Sequence, residues 1–175
     1  MPSRFILPSA LELDELAAYH RDVDAALRLY FSPSAPTFEE RFLGEPVNEA
    51  DRQLELRLGE SDVRSAFAVL TSLEATFLID FERRCRKKLK DKLSRHFREL
   101  RKTRGNRVRL DEDILEGWKI HLVGSATLIG ELRGAIKFRH WIAHGRYWRP
   151  KLGRKYDFNY VHLLADTASG LPFES

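Results

Sequence analysis

The chain has a single cysteine, Cys85, so it cannot form an internal disulfide, and no Cys/His cluster has zinc-finger spacing. Neither a covalent staple nor a structural metal is implied, no cofactor is expected, and a reducing cytoplasm is the natural compartment. Long apolar runs are missing as well: nowhere do about 18 apolar residues occur together. The N-terminal stretch MPSRFILPSALELDEL meets prolines and acids before any run long enough for a signal peptide, so neither secretion nor a membrane span is expected. There is no strict apolar/polar alternation to signal strands, no internal repeat and no low-complexity tract. What remains is a 175-residue chain that is 43% hydrophobic, with three Trp and eleven Phe, enough to bury one core and too little for two.

Helical periodicity dominates. One all-α, single-domain bundle over residues 1–175 is predicted, with its core in about 9–31 and 61–167 and a loop or short helix over 32–60, where three prolines fall. The first helix should start near Ser9, with Glu12 as capping-box partner, and run to about Phe31. A long second helix should open at Ser61 and continue to about Arg101, its basic second half projecting or bending while Leu89, Leu93, Phe97 and Leu100 keep a thin apolar stripe. A third should run from Asp111 to His144, with Gly145 just past its end and Gly117, Gly124, Gly130 and Gly134 allowing close packing or a kink. A last short helix is expected over Tyr156 to Thr167.

The net charge of +4 hides an asymmetry. Between Arg83 and Arg109 lie fourteen Lys/Arg against two acids, which leaves the rest of the chain at −8. A second stretch, Leu132 to Tyr156, contains eight Lys/Arg and no acid. Two basic blocks in one small domain point to a polyanionic partner.

The apolar stripes are broken at two places. In the second helix Val63, Phe67, Leu70, Phe77 and Phe81 share a side with Glu74; in the third, Leu128, Leu132, Ile136 and Ala143 share one with Arg139. An unpaired charge on a packed side is costly, so Glu74 and Arg139 are candidates to pair with each other. His144 follows at the helix end, where the dipole favours a cationic side chain, with His140 one turn earlier and Arg146, Tyr147 and Trp148 just beyond.

The segment Arg139-His140-Trp141-Ile142-Ala143-His144 resembles the Arg-x-x-x-x-His signature of the HEPN superfamily (higher eukaryotes and prokaryotes nucleotide-binding domains). The resemblance implies a small helical bundle with the signature near the end of a late helix, a polar residue after the Arg (here His140), and an acid on an earlier long helix supporting it (Glu74 or Asp80). It also implies a metal-independent endoribonuclease, with two signature helices meeting across a homodimer cleft, in the manner of toxins and phage-defence effectors held off by an antitoxin or other regulatory protein. Some toxin members carry a Tyr two residues after the His, whereas Tyr147 lies three after His144.

Cleaving RNA without a metal means taking a proton from the 2′-hydroxyl, stabilising charge on phosphorus and returning a proton to the 5′-oxygen. His144 suits the proton transfers and Arg139 the phosphate, with His140, Glu74 and Tyr147 in support. Arg133, Lys137, Arg146, Arg149, Lys87, Lys88 and Arg95 are candidates to bind the RNA backbone, and Trp141, Tyr147 and Trp148 to stack on unpaired bases. The residues also fit a non-catalytic helical module that holds RNA or a partner protein, or a structural subunit docking its basic arm on an acidic surface.

Overall fold

The computed structural model describes residues 12–174, and the expected Ser9 cap lies outside them. The described residues are helical with no strand, as the periodicity predicts. Helix α1 (Leu13–Tyr30) opens at Glu12, whose backbone N–H donates to the Glu15 carboxylate at 3.4 Å in a capping box. A short α2 (Phe38–Phe42) lays the Arg41 guanidinium on the Tyr30 ring, 3.6 Å from its centroid.

Helix α3 (Glu49–Lys87) is the axis of the molecule, 39 residues long and so about 58 Å from end to end. It starts twelve residues before the expected cap at Ser61. Residues 49–60, expected as a loop or short helix, belong to this long helix, held by Arg52 and Gln53 on Glu49 and by Arg64 on Glu60. Asp62, next to the expected cap, is used across the bundle: its Oδ1 accepts the Phe158 backbone N–H at 3.1 Å. Gly59 stays inside the helix although glycine there costs about 1 kcal/mol relative to alanine. It has no positive φ, and an added Cβ would meet nothing within 4 Å.

The far end of α3 also departs from expectation. The helix stops at Lys88, left-handed at φ 54°, and the Asp91 side chain caps α4 (Lys92–Arg104) by accepting the Ser94 N–H at 2.9 Å. The basic block therefore turns back along α3 instead of extending it. Leu93 and Phe97 are buried, and Phe97 meets Phe81 edge-on at 5.1 Å.

The expected third helix is divided into two. A widened turn at Leu110–Ile114, whose Ile114 N–H reaches back to the Arg109 carbonyl, leads into α5 (Leu115–His121). Asp113, not Asp111, caps this turn, accepting the Arg109 N–H at 2.8 Å. Gly124, at φ +82°, then redirects the chain into α6 (Ala126–Ala143). Helix α7 (Phe158–Ser169) begins at Asp157, which caps Tyr160. Helices α1, α4, α6 and α7 all pack on α3, around Leu70, Phe77, Trp118, Leu132 and Val161. No described helix is long and apolar enough to cross a membrane.

One buried charge network ties the C-terminal residues to this core. Asp80 and Arg84 are 1% and 5% exposed, and the Arg84 Nε donates to both Asp80 oxygens at 2.9 Å. Arg84 also donates to the Pro172 carbonyl, while Asp80 accepts the Glu174 N–H at 2.8 Å. Desolvation pushes the Asp80 carboxyl above its ordinary range despite the neighbouring guanidinium. Asp80 is thus committed to the core and to Arg84, and is not the acid beside Arg139. Removing one partner leaves a buried charge uncompensated, so Arg84→Ala is expected to lower unfolding free energy by about 3–5 kcal/mol in urea titrations; a loss below about 1 kcal/mol would mean that the pair contributes little.

The Arg139–His144 segment as a candidate site

Helix α6 runs antiparallel to α3, and its Arg139 meets α3 at Glu74. The Arg139 Nε lies 2.9 Å from the Glu74 Oε2, with side chains 24% and 19% exposed. Both atoms are shielded from solvent but the N–H does not align on the oxygen, so the contact is an ion pair without a formal hydrogen bond. The guanidinium also lies 5.6 Å from the Phe67 ring centroid, two α3 turns toward the N-terminus from Glu74. The two charges that interrupt the apolar stripes thus meet each other.

His144 is the C-cap of α6, and its side chain is exposed. The turn beyond it is a Schellman motif: the Gly145 N–H donates to Ile142 O at 3.0 Å and the Arg146 N–H to Trp141 O at 3.1 Å, with Gly145 at φ +79°. Arg146 is itself left-handed at φ 58°. Its guanidinium lies 5.9 Å from the Trp141 ring and grips Glu60 at 2.7 and 3.2 Å. Trp141 Nε1 donates to the Trp148 carbonyl at 2.6 Å, which folds the loop back under the helix.

Arg139 and His144 are five residues apart, about 140° around the helix. His140 and His144, one turn apart, share a face that Arg139 does not. His140 is half-buried, and Tyr147 is exposed with its ring against Trp148. A single chain therefore does not converge Arg139 and His144 on one point.

The candidate RNA-contacting residues fall into three groups. Arg133 is tied to Glu116 at 2.5 Å and to the Asp111 carbonyl, and Arg146 to Glu60, so both are internally compensated. Lys137 and Arg149 are exposed, on α6 and in the loop beyond it. Lys87, Lys88 and Arg95 lie at the α3–α4 turn, Lys87 within 3.4 Å of Glu174. Glu60, which holds Arg146, and Lys87 are 27 residues apart on α3, which puts the α3–α4 turn about 40 Å from the loop after the signature.

Two features were not anticipated. Glu60 anchors the loop after the signature, and no motif marks it beyond its being an acid on α3. A strip of α3 beside Glu74 is also left uncovered: Thr71, Ala75, Leu78 and Glu82, at steps of four, three and four, lie along one side, with Leu78 and neighbouring Ile79 39% and 44% exposed.

No protein-family model matches the chain, and no curated protein or solved structure matches it either.

Hydrogen bonds from Arg146 hold the Glu60 carboxyl below its ordinary value of 4.5, with Arg64 adding to the effect and burial opposing it. A lowered folded-state value gives stability that is present above about pH 4.5 and lost as pH falls through the folded value. Acidification should therefore release the loop and change the emission of Trp141 and Trp148, and Glu60→Gln should remove that transition. An identical acid transition in Glu60→Gln would assign it to other groups.

Proposed function

We propose that the protein is a metal-independent endoribonuclease of the HEPN type, active as a homodimer in which the ends of two α6 helices face one cleft. The carrying observation is the pairing of Arg139 with Glu74: a guanidinium fixed on a half-buried seam, five residues before an exposed helix-terminal imidazole. The 140° between them favours a second copy, because a two-fold axis beside the helix end brings both pairs around one phosphate. The uncovered α3 strip with Leu78 and Ile79 offers apolar surface for that contact.

In this reading His144 takes the proton from the 2′-hydroxyl, and the 2′-oxygen attacks phosphorus. The bond to the 5′-oxygen breaks, leaving a 2′,3′-cyclic phosphate, and an imidazolium returns a proton to the leaving oxygen. Two His144 residues, one from each copy, can divide the base and acid roles. Arg139 holds the phosphate and its added charge, with Glu74 fixing the guanidinium plane. His140 shares the His144 face and assists positioning, while Lys137, Arg149 and the α3–α4 turn supply phosphate contacts from either copy. A role as a toxin or phage-defence effector, restrained by an antitoxin or other regulatory protein, belongs to the same proposal and rests on the signature alone.

The second reading, a helical module that binds RNA or a partner protein without cutting, draws on a specific observation: Arg133, Arg139 and Arg146 each already have a carboxylate within the chain. Single-stranded RNA incubated with the protein in excess chelator separates the two. The nuclease reading expects cleavage, a loss of about 10²-fold or more in Arg139→Ala and in His144→Ala, and unchanged circular dichroism. Cleavage by either variant at the wild-type rate would end it, and steeply salt-dependent binding with no product would favour the module.

A further inference from the structure

A groove of about 510 Å³ opens between α1, α3, α6 and the loop before α7, on the side of α6 that carries Trp141 of the signature. Its apolar surface includes Val63, Phe138, Trp141 and Tyr156, and Phe138 stacks with Trp141 at 5.8 Å and with Tyr156 at 5.4 Å. One rim, from α1 and α3, carries His20, Asp24 and Asp62; the loop brings Arg154 and Lys155. Asp24 and Asp62 each give one oxygen to the protein, to the Arg28 Nε and the Phe158 N–H, and keep the other. Ser65 fixes His20 through its Nδ1 at 3.1 Å, and the ring stacks on Phe158 at 3.9 Å. Arg154 is committed to Glu131 and Tyr160, whereas the Lys155 side chain is 83% exposed, with Asp157 at 3.5 Å.

Gly59 lines the same groove. Like Gly130 in α6, it is a helix-interior glycine that neither φ nor any neighbouring atom requires, so its cost to α3 has no explanation in packing. A side chain there would project into the opening.

We infer that this groove holds a guanine nucleotide of the bound RNA strand, an inference that rests on the RNA-cleaving reading of the adjoining signature. An aromatic-floored slot suits a base turned out of its stack. Guanine places two donors, N1–H and the N2 amino group, beside the O6 acceptor. Free carboxylate oxygens on Asp24 and Asp62 match the donors, and His20, one helical turn from Asp24, matches O6 through its Nε2–H in the tautomer whose Nδ1 accepts the Ser65 hydroxyl. Adenine has one amino donor beside a ring acceptor, and uracil would set its two carbonyls against the carboxylates. Lys155 at the opposite rim suits the phosphate.

The test uses the full chain carrying His144→Ala, so that the strand is not consumed, and the anisotropy of end-labelled single-stranded 12-mers of uridine bearing either two central guanosines or two central adenosines. The guanosine strand should bind about tenfold more tightly, the scale of one well-held base. Adding Gly59→Leu, which fills the groove, should abolish that preference, and Asp24→Ala should reduce it. Thermal melts should show the Gly59→Leu chain at least as stable as its parent, since a better helix former replaces glycine. Equal binding of the two strands, or a preference surviving Gly59→Leu, overturns the inference, as does failure to bind either strand. Cleavage by the unmodified chain is scored in parallel. Cutting without guanosine preference removes the groove alone, whereas preference without cutting keeps the groove and removes the nuclease.

Discussion

The electrostatic contact between Glu74 on α3 and Arg139 on α6 sets the geometry of the candidate site. A guanidinium on the packed side of α6 would be expensive to leave unpaired, and the carboxylate that meets it lies near the middle of a 39-residue helix. The contact fixes which turn of α6 faces which turn of α3. The position of His144 at the free end of α6 follows from it, as does the second anchor, Arg146 on Glu60. A half-buried pair of this kind is weak evidence for stability. Its consequence is orientation: one planar cation is held at the edge of an uncovered strip of α3, where a second chain or a phosphate can reach it.

Much of this was legible in the sequence, for identifiable reasons. Glu74 and Arg139 announced themselves because each broke an apolar stripe of period 3.6, and a periodic pattern locates a misplaced charge well. Gly145 marked the end of α6 because a left-handed residue after a helix is nearly always glycine. The start of α3 was not legible. Gly59 and Ser61 look like punctuation, and what overrides them is tertiary: packing on α1 and the use of Asp62 to receive the start of α7. The stop at Lys88 was hidden for the opposite reason, since lysine gives no sign that it will adopt φ 54°. Gly124 was noted as a place for a kink, but its strength was not, so α5 and α6 were read as one helix.

An unbroken helix to Arg101 would have thrown the basic block outward as an arm. Folded back at Lys88, it forms the outer face of α4, with Phe97 locking it onto Phe81. It lies at the far end of α3 from the loop that follows the signature. The charge that suggested a polyanionic partner is therefore spread along the scaffold: the α3–α4 turn and the loop after the signature lie at opposite ends of α3, and Arg109 and Arg133 meet at Asp111 between them. A two-fold related copy running antiparallel would place the basic turn of one chain near the signature loop of its partner, which is the shared site that the proposed homodimer requires.

That shared site can be measured through mixed subunits. Wild-type chain is exchanged with increasing proportions of His144→Ala chain at fixed total concentration, and total RNA cleavage is followed as the wild-type fraction falls. If each cut needs residues from both copies, total activity follows the square of the wild-type fraction. A linear decline would show that each chain cuts unaided, and would contradict the account.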